Sequence, residues 1–205
     1  MLTVVFLPAA SLADRSPTLL VLGDSLSAAY GLSAERGWVA LLQRRLTDAG
    51  HPHRVVNASV SGETTAGGLT RLPALIERQR PAVLIVQLGA NDGLRGLALE
   101  ETRSNLTRIV RLAQESGARV LLIGIRLPPN YGAAFYERFQ AIFPEVAADT
   151  GVALVPRLLE GVAEDRDLMQ PDGLHPVAEA QPLILDNVWP VLASLLSGGG
   201  VATSP

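Results

Sequence analysis

Three short segments of this chain hold residue types that together can do nucleophilic chemistry. Gly23-Asp24-Ser25 follows an apolar run near the start, Gly89-Ala90-Asn91-Asp92 follows another in mid-chain, and Asp172-Gly173-Leu174-His175 lies far downstream. Serine alone is a weak nucleophile. It needs a base to take its proton, and the base works best when a third group orients it. Ser25, His175 and Asp172 supply those types, with Ser25 as nucleophile, His175 as base and Asp172 as the group that holds the imidazole. A fourth segment, Ala58 to Gly62, ends on a glycine whose backbone N–H a ligand can approach closely because there is no Cβ. Acyl transfer also needs preorganised donors where negative charge develops on the carbonyl oxygen. The Ser25 N–H, the Gly62 N–H and the Asn91 side chain are suitable types for such an oxyanion hole.

These groups serve one site only if the fold gathers them, and the hydrophobic pattern predicts that it does. Residues 18–22, 54–57, 82–88, 119–125 and 152–155 are short runs rich in β-branched or apolar residues, bounded by Gly, Asn or Pro. Such runs read as strands covered on both faces. Between them, Trp38, Leu41, Leu42 and Leu46 share a helical face, as do Leu106, Ile109, Val110 and Ala113. Gly50 and Gly117 follow these two helices where a left-handed cap is wanted. Residues 133–150 and 177–196 read as further helices, with Pro182 and Pro190 beginning, kinking or breaking the last. Alternating strands and helices predict a single α/β domain: a three-layer α/β/α sandwich around a five-stranded, parallel, doubly wound, flavodoxin-like sheet. Ligands of such sheets bind outside the carboxyl ends of the strands, where the loops carrying Ser25, Gly62 and Asn91 would meet.

Composition narrows the alternatives. The 205 residues suit one domain with a substantial core, and 48% apolar content with only 4% aromatic residues makes that core largely aliphatic. A net charge of −3 offers no electrostatic reason to expect nucleic acid. All seventeen basic residues are arginine, so a lysine-dependent phosphate loop is excluded. The absence of cysteine removes thiol catalysis, disulfides and cysteine-based zinc sites.

The motifs, taken together, resemble those of the GDSL, or SGNH, hydrolase superfamily. Gly-Asp-Ser-Leu-Ser-Ala (23–28), Asn-Ala-Ser-Val-Ser-Gly-Glu-Thr (57–64) and Leu-Gly-Ala-Asn-Asp-Gly-Leu-Arg-Gly (88–96) match its first three blocks. Arg-Leu-Pro-Pro-Asn-Tyr-Gly (126–132) and Met-Gln-Pro-Asp-Gly-Leu-His-Pro (169–176) lie downstream in the same order. The match runs over residues 17–193 and is nearest the bacterial periplasmic branch with acyl-CoA thioesterase, arylesterase and lysophospholipase activities. It implies that Ser25, Asp172 and His175 are catalytic, that Ser25, Gly62 and Asn91 form the oxyanion hole, and that no metal or organic cofactor is required. The expected partner is a small acyl ester or thioester, acted on by a monomer without nucleic acid or stable membrane insertion.

Each residue has a plainer reading. Asp24-Ser25 alone is a helix cap, Asn91-Asp92 a turn, and Asp172-x-x-His175 a capping pair or two metal ligands. His51 and His53 sit beside a different strand, which leaves no third metal ligand near His175. Leu94, Leu127 and Tyr131 are candidate substrate contacts, although Leu127 and Tyr131 could equally pack inside the fold. A leucine held next to Pro128 and Pro129 presents an apolar wall, which suits medium to long acyl chains. A carbohydrate O-acetylesterase of the same superfamily would carry an identical triad and is the alternative. A nucleophile elbow of the G-x-S-x-G type is absent, because Ser27 occupies its last position. A flavodoxin-like nucleotide binder would share the sheet but need a glycine-rich phosphate cradle.

The N-terminus reads as a trafficking signal. Residues 2–10 are apolar, and Ser11 and Ala13 fit a signal-peptidase site with cleavage after Ala13, although a basic leader is missing. We therefore expect residues 1–13 to be a signal-peptide remnant, 14–196 the hydrolase domain and 197–205 a flexible tail. The expected location is periplasmic or secreted, or cytoplasmic if the first segment does not direct export. No later apolar run approaches the roughly 20 residues that a membrane span needs.

Overall fold

The computed structural model describes residues 16–128 and 131–198, so the segment 1–13 and nearly all of the tail lie outside the described residues. Five strands, β1 (Thr18–Gly23), β2 (Arg54–Asn57), β3 (Val83–Gln87), β4 (Arg119–Ile123) and β5 (Ala153–Val155), form one all-parallel sheet in the order β2-β1-β3-β4-β5. Pairing is in continuous register, from Leu19 opposite Val83 to Gly23 opposite Gln87 between β1 and β3. Strands β1 and β3 are wholly buried because helices cover both faces, which is why their sequences are continuously apolar rather than alternating. Strand β2 lies at an edge and is only half-buried.

The described residues form six α-helices, of which all but the short α3 cover the sheet: α1 (Trp38–Asp48), α2 (Thr65–Gln79), α3 (Ala90–Leu94), α4 (Leu99–Glu115), α5 (Ala133–Thr150) and α6 (Gln181–Leu196). Helices α1 and α6 pack on one side, and α2, α4 and α5 on the other. Trp38, Leu42 and Leu46 bury the inner face of α1; Leu106, Ile109, Val110 and Ala113 do so for α4. Gly50 and Gly117 follow these helices with φ of 74° and 87°, the left-handed caps expected.

The structure departs from the sequence expectation in three places. Helix α2 is additional. Gly67, Gly68 and Pro73 interrupt its pattern, and tertiary packing of Leu72 and Leu75 overrides their poor propensity. Thr64 caps it by accepting the Gly67 N–H at 3.2 Å. Helix α6 starts at Gln181 after a 3-10 turn, Ala178–Ala180, with Pro182 in its first turn and Pro190 inside it. Strand β4, expected to run to residue 125, ends at Ile123 before Gly124.

Two chain crossovers meet between β1 and β3, because β2 lies to one side of that pair and β4 and β5 to the other. In doubly wound sheets the crevice opens at such a switch point. The loop after β1 carries Ser25 and the turn after β3 carries Asn91, so both reach the same opening.

Candidate active site

Strand β1 delivers Gly23 and Asp24 into a series of tight turns from Ser25 to Tyr30. The Ser27 and Ala28 amides donate to the Asp24 carbonyl at 3.2 and 2.9 Å, which fixes the backbone around Ser25. Ser25 Oγ lies 2.9 Å from His175 Nε2, and His175 Nδ1 lies 2.7 Å from Asp172 Oδ2. Nδ1–H donates to the carboxylate, and Nε2 is then the acceptor that faces the serine hydroxyl.

Asp172 acts through both oxygens. While Oδ2 takes the ring N–H, Oδ1 accepts the amides of Leu174 at 2.9 Å and His175 at 3.0 Å. Burial pushes its carboxyl up, but these hydrogen bonds outweigh that effect and bring its pKa down to about 2. The 172–175 segment is anchored by Gln170, whose amide donates to the carbonyls of Tyr30 at 2.9 Å and Pro176 at 3.0 Å. The exposed Tyr30 ring lies against the His175 imidazole, with centroids 4.3 Å apart.

The donor side of the site is assembled from two further loops. Gly62 has φ of 79°, a left-handed conformation that glycine adopts without strain. The Arg95 guanidinium donates to its carbonyl at 2.8 Å, while Arg71 holds the Ala58 carbonyl through two N–H groups at 3.1 Å and pairs with Glu63 at 2.7 Å. Among the described residues, neither the Ser25 N–H nor the Gly62 N–H has an acceptor within the protein. The Asn91 amide gives one N–H to the Glu63 carbonyl at 3.0 Å, which leaves its second for the crevice. Asp92 points inward instead. It accepts from the Thr65 amide at 2.9 Å and from the Thr65 hydroxyl, and so ties the β3 turn to the start of α2.

These groups surround an open crevice of about 270 Å³. Ser25, Gly62, Asn91 and His175 line it, and Leu26, Leu94, Ile125, Leu127, Leu159 and Leu174 make its walls apolar. Of the three expected substrate contacts, Leu94 and Leu127 line the crevice and Tyr131 does not. The Tyr131 hydroxyl donates to the Leu94 carbonyl at 3.1 Å and its ring stacks on Phe135, so its role is to support the wall from behind. Leu127 is both wall and core. It is almost fully buried, and its methyls press on Gly93, where a Cβ would come within 2.6 Å of one of them. Tyr30, Leu159 and Leu174 escape sequence reasoning. Tyr30 and Leu174 adjoin motif residues, whereas nothing in the chain around Leu159 marks it.

The arrangement has the parts for acyl transfer: a hydroxyl beside an oriented imidazole, three donor-bearing residues lining one crevice, and apolar walls beside them. Comparison with known proteins agrees. Residues 21–181 match the GDSL-like lipase/acylhydrolase family. The chain is 55% identical over 179 residues to esterase TesA of Pseudomonas aeruginosa, covering 87% of this chain and 89% of that one. It is 45% identical over 174 residues to thioesterase 1/protease 1/lysophospholipase L1 of Escherichia coli K12, covering 85% and 82%. A crystal structure of the psychrotrophic esterase EstA from Pseudoalteromonas sp., inhibited by monoethylphosphonate, superposes with a TM-score of 0.84 at 43% identity, covering 88% of this chain and 98% of that one. On the family match and these identities, the chain belongs to the GDSL-like lipase/acylhydrolase family.

Proposed function

We propose that this chain is a serine esterase that hydrolyses carboxylic esters and thioesters of medium to long acyl chains. The observation that carries the reading is the unbroken Ser25–His175–Asp172 relay, at 2.9 and 2.7 Å, opening onto a leucine-walled crevice. Ser25 Oγ attacks the substrate carbonyl as its proton passes to His175 Nε2. The oxyanion takes hydrogen bonds from the Ser25 and Gly62 amides and the Asn91 side chain. His175 then gives the proton to the leaving alcohol or thiol, and the acyl group remains on Ser25. Water attacks that acyl-enzyme with His175 again as base, releasing the acid and restoring the serine.

The apolar wall favours this reading over a carbohydrate O-acetylesterase, since an acetyl group would leave most of the crevice unfilled and a sugar would find few hydrogen-bonding partners there. An activity panel of p-nitrophenyl esters, acyl-CoAs, lysophospholipids and acetylated sugars tests it. Octanoyl and longer substrates should exceed acetyl ones, whereas a preference for acetylated sugars would overturn the assignment.

We also read residues 1–13 as a remnant of an export signal, 14–196 as the enzyme and 197–205 as a tail, with a periplasmic or secreted product. N-terminal sequencing of protein from the native cell envelope should begin at or near Asp14; an intact Met1 in cytosolic protein would refute export. A monomer suffices, because one copy supplies every group of the relay and the donor set. No helix among the described residues is long and apolar enough to cross a membrane.

A further inference from the structure

The residue before the nucleophile has no part in the mechanism above, and its surroundings are costly. Asp24 has no exposed surface. One oxygen, Oδ1, accepts the Leu26 amide at 3.0 Å, while Oδ2 makes no hydrogen bond among the described residues. The side chain nearest in chemistry is Gln87 at the end of β3. Its Oε1 accepts the Ser27 hydroxyl at 2.6 Å, which fixes the amide orientation. Gln87 Nε2 then favours the ionised form of Asp24 but falls short of a hydrogen bond, so it too is left unpaired in the interior. A buried carboxylate with an unpaired oxygen is destabilising, and an asparagine could keep the Leu26 contact without the charge. Groups arranged at the expense of stability gather at functional sites.

We propose that Asp24 is a positioning residue for the Ser25–His175 pair: a second, buried carboxylate whose negative charge stabilises the imidazolium formed as Ser25 gives up its proton. The proposal rests on the serine-esterase reading. Asp172 already faces the imidazole, but its side chain is 38% exposed and water screens its charge. Asp24 is shut away from water and directly precedes Ser25, whose hydroxyl lies 2.9 Å from His175 Nε2, so its charge acts on the pair with little screening. The charges that bear on Asp24 are His175, which favours its ionisation, and Asp92 beyond the β3 turn, which opposes it. Burial dominates both and raises its pKa to about 6, so the charge is present at neutral pH and absent in moderate acid.

Asp24→Asn separates this role from a structural one, because it preserves shape and the Leu26 acceptor while deleting charge. The variant should lose roughly tenfold or more in kcat with KM little changed. Near pH 6 the unmodified protein should lose a like factor in kcat/KM as Asp24 takes up its proton, and the variant, which has no charge to lose there, should not show that step. A profile and kcat equal to those of the unmodified protein would overturn the proposal. If the variant does not fold, the unmodified protein decides. Its kcat/KM should fall by roughly tenfold or more near pH 6 as Asp24 takes up its proton, and a profile without that step would refute the idea. Labelling of Ser25 in the unmodified protein by a serine-directed phosphonate, run alongside, keeps the two claims apart. Failure to label sinks the esterase reading, whereas labelling with an unmoved Asp24→Asn profile sinks only the role of Asp24.

Discussion

Asn91 spends one amide N–H on the Glu63 carbonyl, 3.0 Å away, and that bond helps lock the β3 turn to the loop that carries Gly62. Two of the three donors we propose for the oxyanion are therefore positioned relative to each other before any substrate arrives. Glu63 is in turn held by Arg71, so the loop is braced from α2 as well as from the β3 turn. Donors that need no rearrangement during the reaction stabilise the transition state most effectively.

Asn91→Ala should therefore lower kcat by roughly 10²–10³ with little change in KM, because the lost donor meets charge that exists only in the transition state. Steady-state kinetics on a p-nitrophenyl ester will decide. A raised KM with unchanged kcat would instead make Asn91 a substrate-binding residue.

Ser25→Ala should fold normally and show no esterase activity, since among the described residues Ser25 Oγ has a single side-chain hydrogen bond, to His175. Mass spectrometry after phosphonate treatment should find the adduct on Ser25 alone in the unmodified protein and nowhere in the variant. Turnover by the variant at the original rate would contradict the mechanism.

Leu127 is expected to respond in two ways at once. Leu127→Asn should reduce kcat/KM for octanoyl and longer esters more than for acetyl esters, each buried CH₂ being worth about 0.8 kcal/mol. Because Leu127 is also packed against Gly93, the same change should lower thermal stability by an amount in the range of about 2–5 kcal/mol for large buried truncations. Equal losses on both ester classes, measured on protein that calorimetry shows to be folded, would argue against an acyl groove.

Gly93→Ala isolates the packing side of that wall. An added Cβ would come within 2.6 Å of Leu127 and 2.7 Å of Phe139, inside a filled region. The expected cost is about 1–3 kcal/mol, read from chemical denaturation. Unchanged stability would mean that the wall yields more readily than its packing suggests.

Asp24 also sets a pH dependence of stability. Its folded pKa is about 6 and its ordinary value 3.8, so between these pH values the folded state holds more protons than the unfolded one. Stability therefore declines as pH rises through that window and stays lower above it. Asp24→Asn lacks this decline. Its stability relative to the unmodified protein should rise by roughly 3 kcal/mol between pH 3 and pH 8, since a tenfold change in proton affinity is worth about 1.4 kcal/mol. Melting temperatures across that range test the sign, and a relative loss at pH 8 would reverse the assignment.

What the chain determined by itself was set by local chemistry. Strands β1, β3 and β4 were legible because a strand covered on both faces must be largely apolar; Gly23 and Gly89 marked the ends of the first two, whereas β4 stops at Ile123, short of the expected residue 125. The Ser25–His175–Asp172 arrangement was legible because serine, histidine and aspartate are distinct residue types in short motifs. Helix α2 was not, since Gly67, Gly68 and Pro73 spoil its period and only packing of Leu72 and Leu75 against the sheet restores it. Nor could periodicity tell that Tyr131 turns behind Leu94 while Leu159 reaches the crevice from beyond β5, because strand order and crossovers decide which loops meet. The burial of Asp24 is of the same kind. A carboxylate beside a serine is visible in one dimension, but its isolation from water arises only when Gln87, far along the chain, is brought in on the neighbouring strand.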